Sequence, residues 1–175
     1  MAVEGAGQIA NGALHPFITP SHALVLLALG LLAGQQVPLD LKGVIRVFAP
    51  VSATALFLTR FWQPGEFYQP ALIGIALGVA ILVGLEKRLP KSALAVICGT
   101  AASGVGIDSG VVSATPFIVA KTLVGTWLGM NAAVAYIAIC ASNGADKKWA
   151  RAAIRIIGSW IVAIAMLVLA FSLRK

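Results

Sequence analysis

Six long apolar runs, set apart by short polar connections, constrain this chain more than any other feature of its sequence. They extend roughly from Ser21 to Val37, Val44 to Phe61, Tyr68 to Leu85, Ser92 to Ile107, Thr115 to Ala141 and Ile154 to Leu173. The connections between them carry helix breakers: "QQVPLD", "WQPGEF", "EKRLPK", "GIDSGVVSATP" and "SNGADKKWAR". Apolar runs of roughly 20 residues match the hydrocarbon thickness of a bilayer. With 59% hydrophobic and only 11% charged residues, a soluble domain would lack the polar side chains to cover itself. An outer-membrane barrel needs short strands of alternating polarity, and that pattern is missing. The sequence predicts an all-α integral membrane protein: one compact transmembrane domain over residues 1–175, built from about six helices. The first and fourth runs are short for a full span, so neighbouring polar residues complete them or they tilt little.

The formal net charge of +7 raises the question of nucleic acid, but its placement answers otherwise. The basic residues cluster between apolar runs, as loop charges do in membrane proteins. Lys42 and Arg46 follow the first run, Lys87, Arg88 and Lys91 the third, and Lys147, Lys148, Arg151 and Arg155 the fifth. The other connections hold Arg60 with Glu66, and Asp108 alone. All three basic connections are odd-numbered, so they share one side, which the positive-inside rule makes cytoplasmic. Both termini then face out, with Arg174 and Lys175 mildly against this arrangement.

Cys98 and Cys140 lie in apolar context and read as two buried thiols rather than a disulfide framework. Residues 1–13 lack the basic start and long apolar stretch of a cleavable signal. Small residues recur four apart at Gly30 and Gly34, Gly74 and Gly78, Gly99 and Ser103, and Gly125 and Gly129. Such pairs let helices approach closely in lipid. Trp62, Phe67, Tyr68 and Trp149 fall at run ends, as interfacial anchors do.

The stretch "HPFITPSH" holds both histidines of the chain, seven positions apart. On one helix that spacing is about 10 Å, too far for two ligands on one ion. Pro16 and Pro20 disfavour a regular helix through the whole stretch, and a bend could bring the imidazoles together. Two readings stay open. His15 and His22 are part of a metal site completed from elsewhere, or His15 sits at the interface and His22 hydrogen-bonds its own helix.

"HPFITPSHALVLLALGLLAG" resembles the first transmembrane signature of the HupE/UreJ family of hydrogenase and urease accessory membrane proteins. "PFIVAKTLVGTWLGM" is similar to that family's fifth helix and "WARAAIRIIGSWIVAIAMLVLAF" to its sixth, so the resemblance covers most of the chain. It implies a six-helix, multi-pass permease of the bacterial inner membrane, passing nickel or cobalt toward metalloenzyme maturation. His15, Pro16 and His22 match the first motif, with Ser21 at the family's aspartate and Thr19 at its glycine. The second, histidine-bearing motif should fall in the fourth run, where this chain reads "CGTAASGVGID". Ser103 and Gly104 stand where its second His-Gly would be, and its acid is lost at Gly106 or displaced to Asp108.

The alternating topology puts the end of the fourth run at the depth of "HPFITPSH". His15, Thr19, Ser21, His22, Ser103 and Asp108 could then ring one outward vestibule, with His15, His22 and Asp108 as candidate metal ligands. Asp108 also reads as a solvated loop residue or as the N-cap of the next run. Lys121, about six residues into the fifth run, either snorkels outward or pairs with Asp108. Asn131, deeper in the same run, is placed to hydrogen-bond between helices. No nucleophile-and-base set, phosphate loop or zinc spacing occurs, so enzyme and nucleic-acid functions are not expected. Two functions remain: a permease for a small cation such as nickel or cobalt, bound in transit, and a non-transporting accessory subunit of a larger membrane complex. The expected partners are the lipid bilayer and either complex subunits or further copies of the chain.

Overall fold

The computed structural model describes residues 7–62, 68–111 and 115–172, and among these every regular element is an α-helix. Glu66, Phe67, Arg174 and Lys175, assigned roles from the sequence, lie outside the described residues. The helices are α1 (Gln8–Ile18), α2 (Pro20–Gln35), α3 (Leu41–Leu58), α4 (Tyr68–Gly84), α5 (Lys91–Asp108), α6 (Pro116–Asn143) and α7 (Lys148–Ser172). Six of them correspond to the six apolar runs. α7 starts earlier than its run, because Lys148 to Arg151 are helical rather than part of the connection.

The additional helix is α1. Its 11 residues are too few to read as a span, and its N-cap Gly7 supplies no side-chain cap. Packing on α6 holds it. A Cβ added to Gly12 would collide with the Thr122 carbonyl, and one added to Gly125 or Gly129 would collide with the carbonyls of Ile9 or Ala13. The small residues of both helices therefore let backbone meet backbone. Pro16 lies inside α1, and the break comes at Thr19 instead, in the extended conformation that a following proline imposes. Pro20 then opens α2, where its missing N–H costs nothing. The two helices meet at 77°.

α2 runs through the centre, packed by α1, α4, α5, α6 and α7. It is apolar all round, as a helix without a solvent face should be. Val25, Leu26 and Leu29 are fully buried among Phe48, Leu72, Val105 and Met130. Gly30 and Gly34 seat Ile137 and Ala141 of α6 against α2. The pair Gly74 and Gly78 behaves differently from its sequence reading: a Cβ at either would meet nothing within 4 Å, because both face away from the bundle. Gly99 is nearly as open, with Val47 at 3.9 Å. The close approaches of α5 are made instead by Gly104 against Leu72 of α4 and by Gly106 against Ala55 of α3.

The three basic connections share one end, as their parity requires. Gln36, after α2, donates to the Lys87 carbonyl at 3.3 Å and accepts from the Leu89 amide at 2.9 Å. Asp40 caps α3 through the Gly43 N–H at 2.9 Å and meets Lys91 at 3.4 Å. Arg151 reaches Glu86 at 4.0 Å, and Arg155 Nε donates to the Gly84 carbonyl at 3.3 Å. The opposite end gathers the start of α2 and the ends of α3 and α5, where Gly110 abuts Thr59.

Among the described residues three helices, α3, α6 and α7, are long and apolar enough to cross a membrane, and the bent pair α1–α2 makes up to four. α4 is apolar but shorter, at 17 residues. Trp62 and Trp149 are exposed near helix ends, while Tyr68 turns inward and donates weakly to the Ser103 carbonyl at 3.5 Å. Cys98 is buried, but Cys140 is exposed, correcting its sequence reading: it lines an open groove between α2, α6 and α7.

Candidate functional site

His22 is the third residue of α2 and is fully buried. Its placement follows from the Thr19–Pro20 break, which starts a new helix just above it. Asp108 is the last residue of α5, antiparallel to α2, so it arrives at the same depth. The His22 Nε2–H donates to Asp108 Oδ2 at 2.8 Å. That distance is in the range of a charge-assisted bond. The Asp108 side chain is only 11% exposed, so little water competes for it.

The other ring nitrogen, Nδ1, is buried without a hydrogen-bond partner among the described residues. A carboxylate can only accept, so Asp108 holds the proton on Nε2 and leaves Nδ1 as a bare lone pair in the neutral ring. Such an orphan acceptor costs about 1–3 kcal/mol. His15 closes the group: its ring stands edge-to-face on His22, with centroids 5.3 Å apart. The bend that the two prolines suggested is thus what unites the imidazoles, although they sit on two helices rather than one.

Neither a protein-family model, nor a curated protein, nor a solved structure matches this chain. The chemistry of the site therefore rests on its own geometry. A histidine that donates one N–H to a carboxylate and keeps the other nitrogen free has the arrangement of a metal-ligating imidazole with its orienting partner. In that arrangement Asp108 is the orienting group rather than a ligand. Among the described residues, no three His, Cys, Asp or Glu side chains gather closely enough to hold an ion. His15 and His22 supply two nitrogens, and a cation bound there would take its remaining ligands from solvent or from displaced side chains.

The other candidates divide. Thr19 is the hinge, half-buried, its N–H donating to the His15 carbonyl at 3.1 Å. Ser21 is buried beside His22 in the first turn of α2. Ser103 faces elsewhere: its hydroxyl bonds its own helix at the Thr100 carbonyl, and it lines a groove between α3 and α5 with Thr54 and Ile107. Asp108 does not cap α6, whose N-cap is Thr115. Lys121 makes no pair with Asp108. It is exposed, with its ammonium 4.1 Å from the centre of the Phe117 ring.

Asn131 bonds within its own helix, to the Trp127 carbonyl at 2.8 Å, rather than between helices. The polar tie between α6 and α3 is made one turn earlier by Trp127, whose indole N–H donates to the Ala49 carbonyl at 2.9 Å. Trp127 had no signal beyond its type, since a tryptophan inside an apolar run reads as packing. Below His22 the buried side of α2 is apolar, with Val25, Leu26 and Leu29 fully buried in sequence.

Proposed function

We propose that the chain is a six-span membrane protein that binds a small divalent cation, such as nickel or cobalt, at the outer end of its bundle. The observation that carries this reading is the hydrogen bond from His22 to Asp108, with the second ring nitrogen free and His15 against it. Three side chains drawn from three helices converge there, and their roles fit cation capture better than packing. The resemblance of "HPFITPSH" to the first HupE/UreJ signature supports the same class of cargo. In this reading α2, α4 and α5 also cross the bilayer, and the basic end faces the cytoplasm.

The test is uptake of radioactive nickel and cobalt by cells or liposomes carrying the protein, beside the His15→Ala, His22→Ala and Asp108→Asn variants. Accumulation that depends on His22 supports the reading. Uptake no higher than in empty liposomes, or unchanged in all three variants, sinks it.

A second reading has its own observation. On the central helix α2 every buried residue beneath His22, from Val25 to Gly34, is apolar, as suits an accessory subunit that anchors a larger complex. Native purification in mild detergent separates the two. A membrane protein that co-purifies at fixed stoichiometry favours the subunit, and a chain that always runs alone opposes it.

A further inference from the structure

The polar groups of α7 follow one stripe. Lys148, Arg151, Arg155 and Ser159 succeed one another at three- and four-residue spacing, and so share one side of the helix. Arg155 lies about 10 Å along the helix from Lys148, below the level of the loops. There α7 presses on the end of α4: a Cβ on Gly158 would come within 2.9 Å of Val83 and 3.3 Å of the Gly84 amide. The contact leaves a groove of about 370 Å³, lined by Gly84, Ala152, Arg155, Ile156, Ser159 and Trp160.

Arg155 is held at the mouth of this groove by its Nε–H, which donates to the Gly84 carbonyl at 3.3 Å. Its terminal amino groups have no carboxylate or hydrogen-bond partner among the described residues. Arg151, one turn nearer the loop, meets Glu86 only at 4.0 Å. Deeper in, Ile156 and Trp160 are 57% and 67% exposed. Beside the groove the start of α7 sets Lys148, Arg151 and Arg155 against Glu86 just past the end of α4, while Arg88 and Lys147 line separate grooves.

We propose that the α4–α7 groove holds one anionic phospholipid. Its phosphate sits on Arg155 with Arg151 behind it, and an acyl chain lies along Ile156 and Trp160. A cationic mouth above an apolar wall matches a phospholipid and not a free anion, which has nothing to place on the wall. The excess of cations favours a headgroup with net negative charge over a zwitterionic one. The inference rests on α7 spanning a bilayer and is independent of any role of His15, His22 and Asp108.

The full chain, purified in detergent, is exposed to equal phosphatidylglycerol and phosphatidylcholine, and the lipids retained are counted by native mass spectrometry. One phosphatidylglycerol is expected in preference, bound about fivefold more weakly by Arg155→Gln and unchanged by Arg88→Gln, which lies outside the groove. Equal retention of the two lipids, an unaltered Arg155→Gln, or the same loss in Arg88→Gln overturns the proposal. So does inorganic phosphate that displaces the lipid at equal concentration. Should Arg155→Gln fail to fold, brominated lipids give a second measure with Trp160 as sole tryptophan, after Trp62, Trp127 and Trp149 are changed to Phe. Quenching by brominated phosphatidylglycerol well above that by brominated phosphatidylcholine is expected, and equal quenching overturns the site.

Discussion

His22 and Asp108, 86 positions apart in sequence, are joined by a hydrogen bond of 2.8 Å that ties the start of α2 to the end of α5. Removing the carboxylate would leave a second polar atom of a fully buried ring unpaired. Asp108→Ala is therefore expected to destabilise the bundle by about 1–3 kcal/mol. Asp108→Asn, which keeps an acceptor oxygen, should cost less. Thermal unfolding in detergent, run as a double-mutant cycle with His22→Gln, reads the coupling directly. Additive single effects would mean that the two side chains do not interact.

The glycines of α6 and α4 offer a contrast within one protein. Gly129→Ala would drive a Cβ into the Ala13 carbonyl, so it should cost about 1–3 kcal/mol and push α1 off α6. Gly74→Ala and Gly78→Ala meet open space and should be neutral or stabilising by up to about 1 kcal/mol. Unfolding midpoints of the three variants decide it. Destabilisation by Gly74→Ala comparable to that by Gly129→Ala would mean that α4 is packed by something on its outer face.

Asp40 sets an acid limit at the basic end. The Gly43 amide first, and Lys91 next, hold its carboxyl below the ordinary value of 3.8. A lowered carboxyl contributes stability above its unfolded value and loses it as pH falls through the folded one. Stability should therefore decline on acidification from the ordinary carboxylate range downward. Asp40→Asn, itself a good N-cap, should stay near wild type at neutral pH and flatten that decline. Asp40→Ala should already be weaker at neutral pH. Unfolding midpoints across the acid range make the comparison, and an unchanged slope in Asp40→Asn would refute it.

Trp127 links α6 to α3 through the Ala49 carbonyl, so Trp127→Phe should lower stability by about 0.5–1.5 kcal/mol. Trp149→Phe changes a residue that is 70% exposed and should leave the midpoint within about 0.5 kcal/mol of wild type. Equal effects of the two substitutions would show that the indole bond contributes nothing.

Much of the architecture is legible in the sequence. The six apolar runs became six helices, because length, apolarity and Pro or Gly breakers are local properties that act along the chain. The parity of Lys42, Lys87 and Lys147 put three connections at one end, since helices joined by short connections alternate direction. Parity likewise brought Asp108 to the level of His22. Pairing within the site was not legible. That Asp108 bonds His22 and not Lys121, and that Ser103 turns toward α3, depends on helix rotation, which an almost uniformly apolar helix does not encode in its pattern. Gly74 and Gly78 have the same spacing as Gly125 and Gly129 but opposite surroundings, for the same reason. α1 depended wholly on tertiary structure: too short to announce itself as a span, it is held by backbone contact with α6. The sequence by itself determined that the six apolar runs are helical and which end each connection occupies. Only packing decided which faces meet, because contact between faces depends on the neighbours that each helix finds.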